Sequence, residues 1–403
     1  MASVSIRVIV RSFMPFFRLI SRFWKRFYFS LRTRGGVKGG NAKSLALITI
    51  GEHVPKGKPF KKPSTTPVTI HDVAARAGVA ISSISRVLSG HPDVSERMRI
   101  KVLKAAEDLG YEPDFFAQSL RSGATKTIGF IIRDISNPFF GVIAQCCEQE
   151  LRKAGYSMLL MNSDGDVATE NTNIAQLRRR KIDGLIASLV SEDVPELKGA
   201  LEKLNAPVVL LDRELVGFNS SAILTNHHQG IEDATADLIS RGHTRIAFIS
   251  GSTRVYTTRD RLKGFKSAFR KASVGYPIDL VSLGKFDAEF GESETKRLFT
   301  LKDRPTALIC GGIGSTAGAM RGLKKLGLVP GKDLAFIAID EWPMFDVFGQ
   351  HYSSVYRDAA MIGREAAAAL LEMMNGGSSR TIIVETAYIV RESSSGGLKA
   401  KKR

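Results

Sequence analysis

From Thr127 onward, short apolar runs of strand length alternate with amphipathic stretches of helix length, and this pattern restricts the fold more than any other feature. Strands are predicted at about Thr127–Arg133, Ser157–Asn162, Gly184–Leu189 and Val208–Asp212. A second series is predicted at Arg245–Ser250, Asp279–Leu283, Ala307–Cys310 and Leu334–Asp340. Helices lie between them, for instance at Phe139–Ala154, Thr169–Arg180, Asp260–Ala272, Ser315–Leu326 and Asp358–Met374. Apolar strands separated by helices mean parallel sheets covered on both faces, joined by right-handed crossovers. Eight or more such units across residues 127–392 suggest two sheets.

Net charge is +18 over 403 residues, which would tempt an argument for nucleic acid from bulk charge. The excess sits in the two ends. Residues 1–67 hold 14 Lys and Arg against one acid, Glu52, and residues 393–403 hold four bases, which leaves the body near neutral. Bases alternate with Phe13, Phe16, Phe17, Phe23, Trp24 and Phe27 in the first 34 residues. An amphipathic helix at a membrane surface, a targeting peptide and a poorly ordered extension all suit that composition. The apolar run is broken by Arg7, Arg11, Pro15 and Arg18, so neither a signal peptide nor a spanning helix of roughly 20 uncharged residues is expected. Residues 34–67 read as linker, and the three cysteines, Cys146, Cys147 and Cys310, suit a reducing compartment rather than a disulfide framework.

Behind the linker, Thr69 is placed to cap a helix over Ile70–Ala77, with Asp72 near its positive end and Gly78 stopping it. A second helix is predicted over Ile81–Leu88 with Ile84, Val87 and Leu88 facing inward. That phase leaves Ile81, Ser82, Ser83, Ser85 and Arg86 on or near the outer face. Such a pair can lay its second helix in the major groove, where a guanidinium fork reaches guanine O6 and N7. Spacing alone leaves open an ordinary pair of amphipathic helices. A third helix, Val94–Leu109, is expected to be capped by Ser95 and to bury Ile100, Val102, Leu103, Ala106 and Leu109, and a fourth short element is predicted over Asp114–Ser122.

The stretch from TIHDVAARAGVAISSISRVLSG to DFFAQSLRS resembles the headpiece of the lactose-repressor (LacI/GalR) family of bacterial transcription regulators. RDISNPFF, KIDGLI, LLDRE, RGHTRIAFISG, DRLKGF, PTALI and IVRES match that family's landmarks in order, so the resemblance spans about residues 68–393. It implies a small all-α helix-turn-helix headpiece (68–126, including a hinge helix) on an α/β core (127–392) of two periplasmic-binding-protein-like lobes with parallel sheets. Ile81, Ser82 and Arg86 then fall where the family reads base edges, while Ser83 and Ser85 suit phosphates, and Thr69 completes the set. Ala117 and Leu120 fall where a hinge helix wedges a leucine into the minor groove; packing of Leu120 on its own headpiece is the alternative. Ala80 departs from the family by lacking the usual Ser cap.

Ligands of open parallel sheets sit at the carboxyl ends of strands. The residues expected there, each matching a family effector position, are Asn137, Phe139, Phe140, Asp212, Thr257, Arg261, Phe286 and Asp340, with Arg213 beside Asp212. Strand-end capping by the two aspartates, and ordinary core for Phe139 and Phe140, are the bland alternatives. Gly312-Ile313 stands where the family places Asn-Asp, and Asn226 where it places Asp; the expected sugar or related metabolite is then less polar than usual, or the site degenerate.

The implied protein is a homodimer in the bacterial cytoplasm, on a pseudo-palindromic operator, with a small effector setting its affinity through the hinge helices. A membrane- or compartment-associated ligand-binding protein with a vestigial headpiece is the alternative from the basic N-terminus. No enzyme, cofactor or metal site is expected: P-loop, HExxH and nucleophile-elbow patterns are missing, and His227 and His228 point apart on a predicted helix. Gly312–Ala317 imitates a dinucleotide fingerprint only weakly, being late in the chain.

Overall fold

The computed structural model describes residues 68–112, 123–341 and 351–396. The basic extension, the predicted element Asp114–Ser122 with Ala117 and Leu120, and the end of the basic tail lie outside the described residues. The first helices are α1 (Ile70–Ala77), α2 (Ile81–Leu88) and α3 (Glu96–Leu109). Val73, Ala74, Ala77, Ile84, Val87, Val102, Ala105 and Ala106 form their shared core. Two expectations for α3 fail. Ile100 and Leu103 are 59% and 49% exposed, because the i, i+3, i+4 row that meets α1 and α2 runs through Val102, Ala105 and Ala106. Ser95 occupies the N-cap position, yet its side chain makes no capping hydrogen bond.

The core then runs β1 (Thr127–Ile132), α4 (Pro138–Lys153), β2 (Ser157–Asn162), α5 (Val167–Arg179), β3 (Gly184–Ala187), α6 (Pro195–Glu202), β4 (Val208–Leu211) and β5 (Ser221–Thr225). It continues through α7 (His227–Ser240), β6 (Ile246–Gly251), α8 (Tyr256–Lys271), β7 (Val281–Gly284), α9 (Ala288–Phe299), β8 (Ala307–Gly311), α10 (Ile313–Lys325) and β9 (Ala335–Ile339). The last elements are β10 (Ser353–Arg357), α11 (Ala359–Met374), β11 (Thr381–Val384) and β12 (Thr386–Ile389).

Two six-stranded sheets result, ordered β11-β5-β4-β3-β1-β2 and β12-β10-β9-β8-β6-β7. Every pairing is parallel except that of β10 with β12, which is antiparallel. The chain passes between the sheets three times, at β5 to α7, β10 to α11 and β11 to β12. Two crossings are tied together. Asn226 N–H donates to the Val384 carbonyl at 2.9 Å, its Nδ2 to Glu385 Oε2 at 2.8 Å, and Thr386 Oγ1 donates to the Asn226 carbonyl at 2.9 Å.

The eight predicted strands are present with ends shifted by one or two residues. Sequence reading missed β5, β10, β11 and β12, which have four or five residues each and mix serines and threonines with their apolar positions. It also started α8 one turn late. That helix opens at Tyr256, behind Val255, which extends into the N-cap without a side-chain cap to announce it.

Candidate functional site

In the headpiece, Thr69 and Asp72 form a reciprocal cap: the Asp72 amide donates to Thr69 Oγ1, and the Asp72 carboxylate accepts from the Thr69 amide at 2.8 Å. Those hydrogen bonds hold the Asp72 carboxyl below its ordinary range. Gly78 closes α1 at φ 55°, the left-handed geometry that lets the chain turn sharply into α2. Ala80 caps α2 with backbone alone. Ile84 and Val87 are buried, which turns Ile81, Ser82 and Arg86 to solvent and leaves Ser83 and Ser85 half-buried at the margins. Arg86 is tethered loosely: its Nη2 lies 3.4 Å from Asp93 Oδ2 and 3.4 Å from His91 Nδ1.

The structure brings all eight predicted effector residues to one cavity between the sheets, at the carboxyl ends of their strands. Asp212 follows β4 and Asp340 follows β9, both with positive φ (50° and 73°), a conformation that non-glycine residues rarely hold without a functional constraint. Asn137 caps α4, accepting from the Phe139 amide at 3.0 Å. Phe139 is both core and wall: it belongs to the apolar cluster of the first lobe and faces the cavity beside half-buried Phe140. Phe286 rests on Gly251, where a Cβ would meet its ring at 1.9 Å, so a side chain there would displace the ring.

The charges are arranged in ways the linear pattern did not show. Arg357, at the end of β10, donates through Nε and Nη2 to both Asp340 oxygens (2.6 and 2.8 Å) and through Nη1 to Asp212 Oδ2 (2.5 Å). One guanidinium thus joins the strand ends of both lobes, with its Cζ 3.7 Å from the Phe139 ring centre. Burial alone would raise the Asp340 and Asp212 carboxyls; the permanent charge of Arg357, helped at Asp212 by the Thr225 hydrogen bond, pulls both below their ordinary range. Burial and the Arg261 charge push the His227 imidazole down to about 3, so it is neutral, accepting from Arg261 Nε at 3.3 Å. Asp212 also accepts from the Thr225 amide at 2.9 Å, which anchors the first crossing. Thr257 is engaged as well, its hydroxyl accepting from Arg213 Nη1 at 3.1 Å. Arg133, Arg357 and His227 were not foreseen. The positive charge of Arg357 would have been visible only if β10 had been recognised.

The cavity they enclose measures about 50 Å³, room for a water or two, and four of its lining residues, Arg133, Asp134, Arg213 and Phe286, also line a larger cleft of about 530 Å³. Ion pairs join the lobes at the rim: Arg259 pairs with Glu192 at 2.6 Å and Arg254 with Asp193 at 3.0 Å. The predicted α10 start at Gly312–Ala317 does follow a strand, but its glycines have a packing role: a Cβ on Gly314 or Gly318 would strike the backbone of residues 286–288. Ile313, where the resemblance leads one to expect an acid, joins the apolar cluster of the first lobe. Among the described residues, no three His, Cys, Asp or Glu side chains are grouped to hold a metal ion, and no helix is long and apolar enough to cross a membrane.

A helix-turn-helix unit and a two-lobed α/β core with charged groups converging between its sheets define the class of ligand-binding DNA-binding regulators. The comparisons agree in both halves. Residues 125–392 match the profile described as periplasmic binding proteins and sugar binding domain of LacI family, and residues 69–114 that of bacterial regulatory proteins, lacI family. The chain belongs to the LacI family and is a transcriptional regulator with a helix-turn-helix and a ligand-binding domain. It is 30% identical over 305 residues to the HTH-type transcriptional repressor PurR of Vibrio vulnificus (75% of this chain, 91% of that protein). It is 29% identical over 327 residues to the ribose operon repressor of Haemophilus influenzae (81% and 98%). Its fold is similar to the lac repressor dimer bound to operator and the anti-inducer ONPF, with a TM-score of 0.72, 23% identity, and 82% and 99% coverage. These relatives are repressors rather than enzymes, and they favour the regulator over the membrane-associated binding protein.

Proposed function

We propose that this chain is a repressor that binds a pseudo-palindromic operator as a homodimer in the cytoplasm, with its affinity set by a small ligand between the lobes. The observation that carries the reading is the outward row Ile81, Ser82 and Arg86 on a helix seated by a three-helix core. In this reading Arg86 leaves Asp93 for a guanine edge, Ile81 and Ser82 contact neighbouring bases, and Ser83, Ser85 and Thr69 meet phosphates. Ala117 and Leu120, which lie outside the described residues, supply the minor-groove wedge. Asn137, Phe139, Phe140, Asp212, Thr257, Arg261, Phe286 and Asp340 form the effector site, in which Arg357 ties the two aspartates together. Opening and closing about the three crossings couples that site to the headpieces, since two arrangements of the lobes place the residue 123 ends of a dimer differently.

Selection of bound fragments from randomised duplex DNA, at physiological salt, tests the reading. The expected product is a two-fold symmetric site that Arg86→Ala relaxes at one base pair per half-site. Absence of any sequence preference overturns it.

A further inference from the structure

Of the four arginines lining the cleft, Arg133, Arg213, Arg261 and Arg357, two are saturated by the protein itself. Arg357 is held by Asp340 and Asp212. Arg213 donates to the Leu189 and Asp212 carbonyls and to Thr257. The other two are not. Arg261 is 2% exposed, and its Nη1 has no hydrogen-bond partner. The Arg133 side chain forms no ion pair or hydrogen bond among the described residues; its guanidinium lies over the Phe286 ring at 4.4 Å, and that of Arg261 lies 5.8 Å from the same ring. The acids nearest Arg133 serve their own backbone: Asp134 Oδ1 accepts from Ser136, and Asp287 Oδ1 from the Phe290 amide.

Burial of these charges is only partly offset by nearby acids: it lowers Arg261 to about 9 against the pull of Asp340 and Asp212, and half-buried Arg133 to about 10 against that of Asp134 and Asp287. A protein retains such an arrangement when something else supplies the charge. The amino end of α10 points the same way, because Gly312 (φ 98°) lines the cavity and caps that thirteen-residue helix without a side chain. Ile313 beside it adds no counter-charge, its side chain joining the apolar cluster of the first lobe. Gly312-Ile313 therefore alters the kind of polarity in the cleft and does not abolish it.

We propose that the effector carries an oxyanion, a carboxylate or a phosphate on a small body, held by Arg261 Nη1 and Arg133 at the amino end of α10 with Phe286 against its less polar part. An acidic or phosphorylated sugar fits this chemistry; the hydroxyls of a neutral sugar can accept from the guanidinium groups but bring no counter-charge. The inference rests on reading the cleft as the effector site.

The test follows thermal unfolding of the full chain in chloride and with acetate, sulfate or phosphate exchanged for chloride at equal ionic strength. Wild type, Arg133→Gln and Arg261→Gln are compared. General exclusion of such salts from the surface raises all three proteins alike. Specific binding adds about 2–5 °C to the wild type near saturation, which both variants lose. Calorimetric titration with gluconate, glucose 6-phosphate and glucose then separates carboxylate, phosphate and neutral ligands. Identical salt responses of the wild type and Arg133→Gln overturn the proposal, as does binding of glucose with the acidic compounds inert. The Arg133 side chain holds no hydrogen bond among the described residues, so its variant keeps the test valid if Arg261→Gln fails to fold. Sequence preference in DNA selection is measured on the same preparation. A symmetric site without an oxyanion effect sinks this inference alone, whereas loss of both sinks the regulator reading beneath it.

Discussion

Arg86 and Arg357 are both arginines beside aspartates, yet they are held in opposite ways. Arg86 stands on an exposed helix face, its side chain 53% accessible, and meets Asp93 at 3.4 Å through one nitrogen. Arg357 is 5% accessible and is bound by three charged hydrogen bonds from two strand ends. In water a single ion pair contributes little, so Arg86 can be surrendered to another partner at small cost. Within the protein, two carboxylates and a guanidinium have exchanged hydration for one another, and losing any of them strands the rest. A side chain kept for an external partner is therefore left wet and loosely held, whereas one that holds the lobes together is dry and saturated. Arg261 lies between these extremes, dry with one nitrogen unpartnered, beside half-buried Arg133, and the proposed oxyanion would complete both.

The comparison breaks most visibly at Arg357. Arg357→Met should cost about 3–5 kcal/mol in urea unfolding, because Asp340 and Asp212 stay buried without their cation. It should also weaken the pH dependence. In the wild type both carboxyls titrate below their unfolded value of about 3.9, so their contribution is complete above that pH and fades as the pH falls further. With the guanidinium gone, burial is opposed only by weaker partners such as Arg261 and the Thr225 hydrogen bond, so both carboxyls move up toward the unfolded value and the acid limb flattens. An unchanged acid limb would show that Arg357 is not the group holding them down. Next in size, Arg86→Ala should weaken operator binding by about 1–3 kcal/mol at one base pair per half-site while leaving thermal unfolding unaltered. Ala80→Ser should add about 1 kcal/mol to headpiece stability by supplying the side-chain cap that α2 lacks, measured by the midpoint of unfolding. Smallest of all, Asp93→Asn should change DNA affinity by less than about 1 kcal/mol and in the tightening direction, since an exposed pair is released and an acid leaves the phosphate-facing side. A loss of affinity there would mean that Asp93 positions Arg86 and does not merely rest against it.

Much of this was legible in the chain because the relevant signals are local. The limits of α1 and α2 follow from Thr69, Gly78 and a 3.6-residue apolar repeat that neighbours a few positions away determine. Ile100 and Leu103 were misread because on a fourteen-residue helix two apolar rows compete, and only the packing partners decide which one is buried. The short strands β10 and β12 carry Ser353, Ser354, Arg357 and Thr386, polar residues whose partners lie far away in sequence. Ser353 Oγ, for example, donates to the Arg391 carbonyl at 3.0 Å.

Alone, then, the order of residues determined which segments are helix or strand, that there are two parallel sheets, which helix face is turned outward, and which strand ends meet. Those properties depend on periodicity and capping, energies exchanged between residues within a few positions of one another. Only the tertiary structure decided which charges cancel: that Arg357 joins Asp212 to Asp340 across 145 and 17 residues, that His227 is neutral behind them, and that Arg261 keeps one nitrogen unpartnered. Coulombic and desolvation energies depend on distance and burial in space, and neither quantity exists until the lobes have closed on each other.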